Sequence, residues 1–142
     1  MASIRKEVTI DISPQQLWDA VRDVGALHTR LVAGFVTDCR MDGDARVVTF
    51  ANGMVARELI VDVNDAERRL VWSAVGGRLT HHNASAQVLA EGTGQSRVVW
   101  IADILPNELA PAIEAMIEQG TRAMKKTLEP ARKRNEPVES RT

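Results

Sequence analysis

Tyrosine is missing from this 142-residue chain, and three tryptophans with two phenylalanines are its whole aromatic complement. Cysteine is almost missing too, and the single Cys39 excludes an intramolecular disulfide framework and a cysteine-rich zinc site. Neither sign of charge is in excess. Eighteen Lys and Arg against nineteen Asp and Glu leave a net charge of −1, which provides no broad basic field and argues against a primary nucleic-acid binder. The two basic clusters, Lys125–Lys126 and Arg132–Lys133–Arg134, are interleaved with Glu129 and Glu136 and read as a solvated end. No apolar run approaches the roughly 18 residues of a spanning helix. The N-terminus also lacks the apolar core of a secretory signal, so the expectation is a cytoplasmic protein without integral membrane association. What is present, 44% hydrophobic and 26% charged residues, is the balance of a globular domain. A chain of this size buries about 68–70% of its unfolded surface, enough for a core and even for a cavity within it.

Val8, Ile10 and Ile12 alternate with Glu7, Thr9 and Asp11, the period-two pattern of a half-buried strand. The period then changes. Ser13-Pro14-Gln15-Gln16 forms a capping box with proline at the first helical position, and Leu17, Trp18, Val21 and Val24 make one apolar face. A second short helix is expected over 26–31. From Phe35 to Ile104 turn signals divide the chain into six strands, near 35–41, 46–51, 54–63, 68–75, 81–90 and 96–104. The turns are Asp42-Gly43-Asp44, Asn52-Gly53, 64–67, Gly76-Gly77 and 91–94, with Asn-Gly the strongest hairpin signal among them. No helix separates these strands, so the sheet must be antiparallel. After Pro106, Ile113, Met116, Ile117, Gly120, Met124 and Leu128 recur at helical spacing, with Pro111 in the first turn and Glu118–Arg122 as an i,i+4 pair. The domain is expected to span 1–129, with 130–142 a disordered tail.

A single sheet this long must curl, and only the C-terminal helix is long enough to cover its concave face. Strand parity then selects inward residues. Leu70, Trp72 and Ala74 share a face, as do His82, Ala84, Ala86, Val88 and Ala90, and as do Val98, Trp100, Ala102 and Ile104. Three alanines on one wall, with Gly120 on the helix, leave volume between them or let the helix pack closer. Ala56, Glu58 and Ile60 form another set, so Glu58 is either an inward carboxylate needing a partner or an exposed one paired with a base such as Arg57. Cys39 shares a face with Phe35, Thr37 and Met41 and reads as a buried, inert thiol.

The usual catalytic and nucleotide-binding spacings are absent, and no cofactor is implied. His81 and His82 are adjacent on a strand and point opposite ways, so no metal site is assigned. The most credible polar cluster is Glu58 with His82, joined at a cavity mouth by His28 or Thr80. It could orient a carbonyl or hydroxyl, or act as acid and base on it, and it could equally be structural.

Ser13 through Val21 after the first strand, the Gly76-Gly77 turn and the terminal amphipathic helix resemble the START/Bet v1-like (SRPBCC) superfamily, above all its polyketide cyclase/dehydrase-like members. The likeness covers about residues 3–128. It implies an α+β helix-grip fold, a seven-stranded curved antiparallel sheet around a long C-terminal helix, with two short helices after the first strand. It also implies an internal cavity for a hydrophobic small molecule such as a lipid, polyketide or isoprenoid. The segment from Glu58 to Gly77 further resembles the plant abscisic-acid receptors of that superfamily, with Trp72, Ala74, Ala84 and Ala86 at pocket-facing positions and Asn83 at an asparagine. Two departures matter: the receptors' pocket lysine falls at Leu31, and their proline-bearing gate falls at Ala51-Asn52-Gly53. Hormone anchoring and gate-and-latch signalling are therefore not expected.

Parity, the helix face and the resemblance together give the residues expected to line a ligand: Phe35, Val47, Ala56, Glu58, Trp72, Ala74, His82, Ala84, Ala86, Trp100, Met116, Gly120 and Met124. The expected function is binding of a hydrophobic ligand by a monomer or homodimer. The alternative is a cyclase- or dehydratase-like enzyme using Glu58 and His82.

Overall fold

The computed structural model describes residues 1–129, in which seven antiparallel strands curl around one long helix. The strands are β1 (Ala2–Ile10), β2 (Val36–Asp42), β3 (Ala45–Phe50), β4 (Val55–Asn64), β5 (Arg69–Val75), β6 (His81–Ala90) and β7 (Ser96–Leu105). They pair in the order β1-β7-β6-β5-β4-β3-β2, so β1 closes one edge and β2 the other. The helix-grip expectation holds. The tail expected over 130–142 lies outside the described residues.

The first helix, α1 (Pro14–Arg22), begins where the capping box places it. Ser13 Oγ accepts the Gln16 N–H at 3.2 Å, and Gln16 Oε1 accepts the Ser13 N–H at 3.2 Å. Leu17, Trp18, Ala20 and Val21 are buried. The second short helix is a 3₁₀ turn, Val24–Ala26, running into a π turn, Leu27–Leu31. The long helix α2 (Ala110–Leu128) starts with Pro111 in its first turn, where the missing N–H costs nothing, and buries Ile117, Gly120 and Met124. Glu118 does not pair with Arg122 as its spacing suggests. It accepts from Lys6 Nζ at 2.9 Å, and Glu114 lies 3.1 Å from the same ammonium, so α2 is fastened to β1.

Besides a register shift in β4 between Ile60 and Asp62, three features shape the sheet. A bulge in β2 between Val36 and Asp38 breaks the parity expected for Cys39, which is buried in register with Val36 while Thr37 and Met41 are exposed. Burial also pushes the Cys39 thiol up, in keeping with an inert group. The β3–β4 turn is a three-residue loop: the Phe50 N–H donates to Met54 O at 2.8 Å, and Gly53 takes a φ of 89°. Finally, β5 leaves β6 early. Their ladder ends at Trp72↔Ala84, whereas β5 stays paired with β4 as far as Arg57↔Val75.

Candidate functional site

Between the concave face and α2 lies a cavity of about 150 Å³. Leu70, Ile117 and Met124 are among its buried lining residues, and the partly or largely exposed Phe35, Met54, Ala74, Leu79, Ile113 and Met116 form its rim. Its walls are apolar except at Arg46, Glu58 and His82.

Arg46 and Glu58 stand directly opposite each other on β3 and β4. Arg46 Nε donates to Glu58 Oε1 at 2.8 Å, with the arginine 3% and the glutamate 8% exposed. Arg46 Nη1 also donates to Val24 O at 3.3 Å, and the guanidinium carbon lies 5.6 Å from the Trp72 ring centroid. An isolated buried carboxylate would be costly, and here the planar guanidinium offsets that cost while the aromatic face supports it from one side. Glu58 is thus inward, and its partner is Arg46. Arg57 points outward and binds Asp42 at 2.6 Å.

The sequence places Val47 among the lining residues, and the structure puts Arg46 there instead. A two-residue Asn52-Gly53 turn would set Val47 across from Glu58. The three-residue loop moves the register by one, which turns Arg46 into the cavity and Val47 onto the opposite face of β3.

His82 occupies the gap where β5 and β6 part. Its Nδ1 accepts the Ala74 N–H at 2.9 Å, while Ser73 Oγ donates to the His82 carbonyl. Side chains thereby complete hydrogen bonds that a regular ladder would have made between backbones. Since Nδ1 is the acceptor, the neutral ring carries its proton on Nε2. Burial pulls the imidazole below its ordinary value, and the Glu58 charge opposes that pull.

Of the other residues expected to line a ligand, Phe35, Ala56, Trp72, Ala74, Ala86, Trp100, Met116 and Met124 do border the cavity. Ala84 faces inward but lies between Trp72 and Ala102 in the ladder and is covered. Gly120 does not enlarge the space. A Cβ there would stand 2.8 Å from the Trp100 ring, so the glycine lets an indole pack against the helix. His28 and Thr80 are not part of the lining. Leu31, at the receptors' lysine position, is a buried apolar wall.

The curled sheet, the gripping helix and the cavity between them define a helix-grip protein. The chain belongs to the family described as polyketide cyclase / dehydrase and lipid transport, whose pattern matches residues 1–129. Among solved structures it is similar to the protein XoxI from Bacillus cereus, with a TM-score of 0.81 and 20% identity over 90% of this chain and 96% of that one. A START superfamily protein from Mycobacterium smegmatis aligns with a TM-score of 0.70 and 14% identity, covering 91% and 98%. Norcoclaurine synthase from Thalictrum flavum, solved in complex with dopamine and hydroxybenzaldehyde, aligns with a TM-score of 0.67 and 17% identity, covering 88% and 84%. At these identities the likeness concerns the fold. No curated protein matches the sequence. Among the described residues no helix is long and apolar enough to cross a membrane.

Proposed function

We propose that the protein binds a hydrophobic small molecule in the cavity between its sheet and α2. The observation that carries this reading is an apolar-walled space of about 150 Å³ with a rim of partly exposed side chains. Protein interiors ordinarily close to crystal-like density, and an apolar hole of this size is comparable to an engineered one that stays dry and takes up benzene. The family's description, which includes lipid transport, supports the same reading. Titration with toluene, followed by amide shifts in ¹H–¹⁵N spectra, should perturb residues around Leu70, Trp72 and Ile117. Ala74→Trp, which plugs the half-exposed rim, should remove the effect. Absence of any shift in the unmodified protein would overturn the proposal.

Enzymatic cyclisation or dehydration in the same cavity is the second reading, favoured by one observation: Glu58 and His82 border one space. Binding is the better supported of the two, because it needs only the apolar space, whereas the Ala74 N–H already occupies the acceptor nitrogen that His82 would use as a base. A residue serving as a general base needs a free lone pair near the proton it takes. Loss of turnover in Glu58→Gln and His82→Asn, with folding intact, would reverse that preference.

A further inference from the structure

The polar groups bordering the cavity specify its ligand more narrowly than hydrophobicity does. Among the described residues Glu58 Oε2, Arg46 Nη2 and His82 Nε2 have no hydrogen-bond partner, and none of the three is a fully buried, unsatisfied atom. The cavity wall therefore offers one carboxylate acceptor and two nitrogen donors. Arg46 and Glu58 together carry no net charge, and with His82 neutral the wall as a whole carries none. A ligand carboxylate or ammonium would bring an uncompensated charge into an apolar space, which is strongly unfavourable. A hydroxyl brings no charge, donates through its proton and accepts through its oxygen, and so can satisfy the acceptor and a donor at once. The volume of about 150 Å³ holds a single ring. Anything longer must extend through the rim.

Building on the proposed ligand-binding role, we propose that the cavity selects neutral, single-ring-sized molecules bearing a hydroxyl, phenols and cyclic alcohols, and discriminates against carboxylates of the same size. The hydroxyl hydrogen is donated to Glu58 Oε2, its oxygen accepts from Arg46 or His82, and the ring lies on the apolar walls of Leu70, Ile117 and Met124.

Three probes of similar size separate the terms: p-cresol, toluene and benzoate, titrated near pH 7.5 with amide shifts as the readout. The expected order is p-cresol tightest, by about tenfold over toluene, since one or two well-made hydrogen bonds correspond to roughly that factor. Benzoate should be the weakest. Glu58→Gln removes the negative half of the pair and leaves a cationic wall, so benzoate should then overtake p-cresol. The double substitution Arg46→Met with Glu58→Leu, which removes both charges together and guards against a Glu58→Gln chain that does not fold, should bind p-cresol and toluene within about twofold of each other, the hydrogen-bond factor having gone. Equal affinities for p-cresol and toluene in the unmodified protein would overturn the selectivity while leaving the ligand-binding role intact. Benzoate binding as tightly as p-cresol would overturn it as well. Failure of all three probes, toluene included, would instead overturn the ligand-binding role itself.

Discussion

The two sides of the grip are packed by different rules. On the β1–β7 side, α2 is drawn against the sheet: Gly120 admits the Trp100 indole, and Lys6 ties Glu114 and Glu118 to β1. On the β3–β5 side the strands stand away from the helix, β5 parts from β6, and the space is bordered by an ion pair and a histidine. A missing Cβ closes one side, whereas polar side chains committed to each other and to backbone amides hold the other open. Small residues alone thus do not make a cavity. Of the five small residues expected to line it, Gly120 and Ala84 are covered, while Ala56, Ala74 and Ala86 border the space.

The largest effect should come from the open side. Arg46→Met leaves the Glu58 carboxylate buried without its cation and should lower unfolding free energy in urea by about 3–5 kcal/mol, most of which Arg46→Met with Glu58→Leu should restore. A double variant as unstable as the single would mean that the pair is not one unit. On the closed side, Gly120→Ala forces a methyl group into the Trp100 ring. Overpacking of about 1–3 kcal/mol should exceed the helix-propensity gain of about 1 kcal/mol, and adding Trp100→Phe should relieve it. If Gly120→Ala stabilises the protein, the close approach of helix and indole is not what fixes that side. Away from both, Ser13→Ala should cost about 1 kcal/mol through loss of the α1 cap, without affecting ligand binding.

The smallest effect is one of pH. His82 titrates below its ordinary value of about 6.5 in the folded chain because it is buried, so the unfolded chain takes up that proton first on acidification. Its contribution is complete above the ordinary value and is lost as pH falls through it toward the folded value. His82→Asn, whose Oδ1 can accept the Ala74 N–H in place of Nδ1, should flatten this part of the pH–stability curve. An unchanged curve would mean that His82 is not the group responsible.

Periodicity and turn chemistry carried most of the fold. The capping box at Ser13, the six strands after Phe35 and the α2 face lie where residue spacing places them, because each depends on neighbours a few positions apart. The site depended on register, which is a longer-range property. Glu58 has two open readings in the sequence, and the residue that stands opposite it is set by one residue of loop length at Ala51–Gly53. That loop residue exchanged Val47 for Arg46 opposite the carboxylate. Three-residue loops ending in a left-handed glycine are a known alternative to the two-residue Asn-Gly turn, and testing both registers for a base opposite Glu58 would have found Arg46. The β2 bulge displaced Cys39 from its expected face in the same way. The parting of β5 from β6 rests on a side-chain hydrogen bond from Ala74 to His82, for which a periodic pattern holds no signal.

A crystal structure of the protein soaked with p-cresol tests the central claim most directly. The account predicts the ring enclosed between Trp72 and α2, with its hydroxyl on Glu58 and the Arg46–Glu58 pair retained. Side chains closed over the space with no bound molecule, or a ring on the outer face of the sheet, would contradict it.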